Sequence, residues 1–139
     1  MHGTYDVKQM PRVVRIARKL LWVEFALATV ALIMFGFIFG ELSARPDGLE
    51  DGVYGGAMTV IIASGVYAAI LLAAAVACHV SRKRWVRIAI LIFHGLLLLV
   101  QGIGLLDSVN IGDLARVVLL AAVGVCLFHP EAREWFDRR

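Results

Sequence analysis

Four long stretches of this chain are apolar at almost every position, and the charged residues gather between and around them. They run from about Leu20 to Gly40, Tyr54 to Val80, Trp85 to Leu106, and Ile111 to Phe128. A bilayer core of about 30 Å needs roughly 20 apolar residues in helical form. Lipid offers no partner to a free N–H or C=O, so a spanning segment of this kind must be a helix. The pattern therefore predicts an all-α, polytopic membrane four-helix bundle. Residues 1–19 form a basic N-terminal segment, 20–128 the four-span domain and 129–139 a C-terminal tail. Short loops fold consecutive spans into two helical hairpins, with turns expected at Pro46-Asp47-Gly48 and Asp51-Gly52. The fourth span carries Asp113 and Arg116 in its first turns. Asn110 fits an N-cap, Asp113 suits the positive helix end, and Arg116 can snorkel outward.

Charge sets the expected orientation, because Lys and Arg stay on the cytoplasmic side. Twelve of the fourteen basic residues fall on one side: Lys8, Arg12, Arg15, Arg18 and Lys19, then Arg82, Lys83, Arg84 and Arg87, then Arg133, Arg138 and Arg139. The other side has Arg45 and Arg116 together with six acids, Glu41, Asp47, Glu50, Asp51, Asp107 and Asp113. Both termini are thus expected in the cytoplasm. Trp22, Trp85 and Trp135 each follow basic residues at that boundary, where amphipathic rings anchor a helix. The first apolar stretch is too long for a signal-peptide h-region and lacks a small-residue cleavage site after it, so it reads as a signal anchor. Pro11 stands where a helix can begin, and Arg12, Arg15 and Arg18/Lys19 recur at helical spacing. That segment either extends the first helix or lies along the headgroups, attracting anionic lipid; positive-inside sorting alone accounts for it equally well.

Composition narrows the class further. At 139 residues, 60% hydrophobic and 18% charged, the chain suits one domain but has too little interior to hide its apolar surface from water. The net charge of +3 sits at helix ends and not on a binding face, which argues against nucleic acid. Arginine outnumbers lysine eleven to three, as in high-GC bacterial genomes. Cys78 and Cys126 lie inside apolar spans and are expected as free thiols.

The two hairpins look like copies of one another. Trp22-Val23-Glu24 opens the first span and Trp85-Val86-Arg87 the third. Leu71-Leu72-Ala73-Ala74 with Cys78 matches Leu119-Leu120-Ala121-Ala122 with Cys126, and His79 precedes Trp85 as His129 precedes Trp135. A true duplication would be a parallel repeat about the membrane normal, a symmetry some transporters share; chance likeness between Ala/Leu/Val-rich spans is the competing explanation. Where the copies differ, Glu24 takes the place of Arg87. A lone carboxylate at that depth is expensive, so Glu24 is expected to pair with Arg87 or Arg84. A proton-accepting role at a pathway mouth is the alternative.

Few polar residues lie inside the spans: Thr29, Ser64, Tyr67, His94 and Gln101, besides Glu24. His94 is nine residues past Trp85, about 13 Å deep at the helical rise. His94 and Gln101 share a helix face, and Ser64 and Tyr67 fall level with them across the hairpin. They are expected to form one polar seam, either as hydrogen bonds that hold the helices together or as a proton or solute path with His94 titrating. Cys126 and His129 share a face that suits a metal, whereas adjacent Cys78 and His79 diverge, so these four are weak ligand candidates and no metal is expected. A bis-His haem fails because His94 has no histidine at its depth, and no cofactor is expected. Gly36 and Gly40 form a GxxxG. Gly65, Ala69, Ala73 and Ala77 make a small-residue stripe that lets helices approach closely, within the monomer or between copies. No Gly-rich phosphate loop, HExxH or Ser-His-Asp arrangement is present.

The entry from Pro11-Arg12 to Trp22-Val23, the Arg/Ala/Val-rich composition and the ending Phe128-His129-Pro130-Glu131-Ala132-Arg133-Glu134-Trp135-Phe136 resemble the small four-span integral membrane proteins common in actinobacteria. That resemblance covers most of the chain. It implies a multi-pass place in a bacterial plasma membrane and no catalytic residues, since most of those proteins have no assigned activity. The leading expectation is a non-enzymatic protein that works through helix packing with itself or another membrane protein. A channel or transporter subunit using the His94/Gln101 seam comes second, and a membrane-embedded metal-binding protein or enzyme third.

Overall fold

In the computed structural model, residues 10–45, 50–107 and 110–137 are described, with Asp107 described by its backbone alone. The expected Pro46-Asp47-Gly48 turn, Lys8, Arg138 and Arg139 lie outside these residues. Of the described chain 92% is helical and none is strand. Five helices follow in order: α1 (Arg12–Ser43), α2 (Asp51–Val80), α3 (Arg84–Asp107), α4 (Ile111–Phe128) and α5 (Pro130–Asp137). The first four are long and apolar enough to cross a membrane. At 1.5 Å per residue α1 extends about 48 Å and α4 about 27 Å, so α4 only just matches a hydrocarbon core.

The helix ends follow local chemistry. α1 begins eight residues before the expected span, because nothing between Pro11 and Leu20 breaks a helix. The Arg15 N–H donates to the Pro11 carbonyl at 3.1 Å, and Pro11 itself has no N–H to leave unsatisfied. Arg12 to Lys19 therefore form the first turns of α1. Asn110 caps α4: its side-chain oxygen accepts from the Gly112 N–H at 2.9 Å. Between α4 and α5 the chain turns at His129, whose extended backbone (φ −57°, ψ 141°) is what a following proline imposes. Its carbonyl takes the Ala132 and Arg133 N–H groups at 3.0 and 3.1 Å, and its ring Nδ1 accepts from the Glu131 N–H at 3.4 Å.

The chain divides into two compact units. One contains residues 1–21 and 74–139; its core is assembled from every helix that enters it. Val14, Ala17 and Leu21 come from α1, Ala74, Ala75 and Cys78 from α2, and Val86 and Ile90 from α3. α4 adds Leu120, Val123 and Leu127, and α5 adds Ala132, Trp135 and Phe136. Each set recurs at three- and four-residue spacing, the signature of one buried helix face. α3 packs along α4, and α5 packs on both. The segment expected as a tail thus holds an amphipathic helix. The Arg82 guanidinium lies 3.9 Å from the centre of the Trp135 ring, and Asp137 lies 3.8 Å from both Arg84 and Arg133. Those ion pairs are exposed and contribute little.

The second unit, residues 22–73, contains the outer part of α1 and most of α2. Leu32 approaches Gly65 to 3.9 Å from where a Cβ would sit, and the rings of Phe39 and Tyr54 lie 5.1 Å apart near the connection between the helices. Few of its side chains are covered. In the most apolar window of each of the four long helices only 11%, 22%, 11% and 17% of residues are buried. Exposed apolar surface on this scale is far beyond what a water-soluble monomer carries.

Candidate functional site

The polar groups inside the spans are the natural place to look for chemistry. Thr29, Ser64 and Tyr67 belong to the 22–73 unit, and His94 and Gln101 to the other. The Thr29 hydroxyl donates to the Phe25 carbonyl at 2.8 Å, and the Ser64 hydroxyl to Val60 at 2.7 Å. Both bonds reach back one turn along their own helix, which satisfies a hydroxyl in apolar surroundings without a second helix. Thr59, which the sequence did not single out, does the same toward Gly55 at 2.9 Å. Tyr67 and Gln101 are half-buried.

His94 is the most enclosed polar side chain in its unit, at 1% exposure. Its Nδ1 lies 2.9 Å from the Ile90 carbonyl. A carbonyl only accepts, so the proton sits on Nδ1 in this geometry. The imidazole also meets the Phe93 ring edge-on, with centroids 5.6 Å apart. Packed this way, the ring is held in one orientation and shielded from solvent. Glu24 and Arg87 are also buried, at 5% and 8% exposure. They fall in different units, and their expected ion pair rests on the sequence.

The four sulfur and imidazole candidates for metal binding are engaged otherwise or apart. Cys78 is buried and Cys126 half-buried, both as free thiols. His79 accepts a hydrogen bond on Nδ1 from the Arg18 guanidinium at 2.8 Å, and His129 caps α5. Among the described residues no three His, Cys, Asp or Glu side chains come together as a metal ion would need.

The tryptophans separate into two kinds. Trp22 and Trp85 are exposed, at 43% and 63%. Trp135 is 7% exposed and lies beneath Arg82, so its ring is covered by protein. Its indole Nε1 has no hydrogen-bond partner among the described residues, an unusual state for a buried indole.

The GxxxG face is open, whereas the α2 stripe is met at Gly65 by Leu32. Around Gly36 and Gly40 nothing lies within 4 Å of an added Cβ; Ala69 and Ala73 are exposed, and Ala77 is half-buried. The apparent repeat is uneven at the structural level. Val23 is 47% exposed and its counterpart Val86 only 2%, and α1 runs ten residues upstream of Trp22 whereas α3 starts one residue before Trp85.

What sequence reasoning missed lies at the basic end: the Arg18–His79 bond and the Arg82–Trp135 stack. Ala132, Trp135 and Phe136 at one-face spacing after Pro130 were the signal for α5, masked by four charges in eight residues. No family model, curated protein or solved structure matches the chain.

Proposed function

We propose that the protein is a four-span component of a bacterial plasma membrane, with both termini cytoplasmic, that works by packing its helices against another copy or a partner protein. The observation that carries this reading is the open GxxxG face of Gly36 and Gly40. Inside a bilayer the apolar effect does not draw helices together, so close backbone approach at small residues supplies much of the association. A face with nothing within 4 Å leaves room for an incoming helix. The internal bonds of Thr29 and Ser64 and the enclosure of His94 support the same reading. The hydroxyls of Thr29 and Ser64 serve the helix they sit on, and a hydrated path would need its polar groups turned toward water.

Native mass spectrometry of the full chain released from lipid nanodiscs tests the proposal. A discrete homo-oligomer, or a stoichiometric protein partner retained from the native membrane, is expected. A monomer that retains no protein partner under conditions that preserve lipid adducts would overturn it.

A further inference from the structure

The basic end of the 1–21/74–139 unit sorts its cations into two groups. Arg15 donates to the Met10 carbonyl at 3.2 Å, Arg18 to His79, Arg82 stacks on Trp135, and Arg84 and Arg133 flank Asp137. Arg12, Lys19 and Lys83 are exposed and form no ion pair with a described residue. Their positions are linked. The 2.8 Å Arg18–His79 bond fixes this turn of α1 level with the last turn of α2. Lys83 follows that turn by three residues, so it stands at the depth of the α1 cations. Arg12 and Lys19 are seven apart, on one face of α1 and about 10 Å apart along its axis, opposite the Val14, Ala17 and Leu21 face that enters the core.

Exposed apolar residues stand among these free cations. Ile16 lies between Arg12 and Lys19 on the outer side of α1 at 49% exposure, and Trp85 follows Lys83 at 63%. A face turned only to water has no use for an isoleucine and an indole, and the hydrocarbon core has no place for three cations. A surface holding both fits the headgroup–acyl boundary, where cations meet phosphate while apolar neighbours dip toward the chains. We infer that Arg12, Lys19 and Lys83, with Ile16 and Trp85, form a binding belt for the headgroups of anionic phospholipid. The inference rests on membrane insertion but not on any oligomer or protein partner.

The test uses the full-length protein, extracted from membranes in mild detergent and mixed with phosphatidylglycerol and phosphatidylcholine of matched chains. Native mass spectrometry then counts the retained lipid. The wild type is expected to retain phosphatidylglycerol in several-fold preference, falling as ionic strength rises. Each neutralised cation should reduce that preference by up to about five-fold, so R12Q/K19Q/K83Q should remove most of it and leave phosphatidylcholine retention unchanged. R116Q, at the other end of the fourth span, should keep the preference. Equal retention of the two lipids by the wild type, or a triple variant with the preference intact, would overturn the belt. So would displacement of the lipid by a co-purifying acidic protein at the same residues. A protein that leaves the membrane without detergent would overturn membrane insertion as well, which separates that failure from the others.

Discussion

Replacing Phe136 by alanine tests how α5 is held. The side chain is 1% exposed and belongs to a helix of only eight residues. A free helix that short is marginal in water, so α5 keeps its form by docking on α3 and α4 through Ala132, Trp135 and Phe136. Truncating a buried phenylalanine costs about 3–5 kcal/mol. Even the lower figure raises the opening constant of α5 about a hundredfold. Amide hydrogen exchange, read by mass spectrometry on the full chain in nanodiscs, measures this directly. The peptide covering 130–137 should exchange about a hundredfold faster, while peptides from α3 keep their protection. Arg82→Ala removes the stack on Trp135, worth about 0.5–1 kcal/mol at such a site, and should speed exchange less than Phe136→Ala does. Unchanged protection in Phe136→Ala, or equal loss across all helices, would refute independent docking of α5.

Three further outcomes follow from the same structure. Asn110→Ala removes the α4 cap and should lower stability by about 1 kcal/mol, seen as a reduced thermal midpoint in detergent; Asn110→Asp should restore it, and an unchanged midpoint in Asn110→Ala would refute the cap. His94→Ala empties a fully enclosed site and should cost about 2–4 kcal/mol without altering proton flux into liposomes. A flux that the wild type supports and the variant abolishes would instead establish a pathway. Gly36→Leu with Gly40→Leu meets open space and should leave helicity unchanged while abolishing association with a copy or partner; retained association would place the contact elsewhere.

The sequence made position along each helix legible far better than rotation about its axis. Apolar run length located the four long helices, and Asn110 announced its cap, because both depend on neighbours in sequence. Depth along a span follows from the helical rise, which is how His94 could be placed near mid-span. The direction a side chain faces was harder to read: α2 is apolar almost all round, so no polar face marks which side meets protein. That Thr29 and Ser64 bond within their own helices depends on rotamers that hydropathy does not encode. Trp135 shows the same limit. A tryptophan after arginines reads as an interface anchor, but the proline at 130 restarts a helix whose inner face buries the indole beneath Arg82. Likewise the basic residues of α1 divide into engaged and free ones only once Arg18 is seen on His79.

Cysteine labelling in intact cells tests the proposed arrangement of four spans with both termini on the cytoplasmic side. In a Cys78→Ser, Cys126→Ala background, single cysteines at Arg45, Lys83, Asn110 and Arg133 are exposed to a membrane-impermeant maleimide before and after lysis. Positions 45 and 110 should label from outside, and 83 and 133 only after lysis. Labelling of 83 or 133 in intact cells, or of 45 only after lysis, would contradict that arrangement.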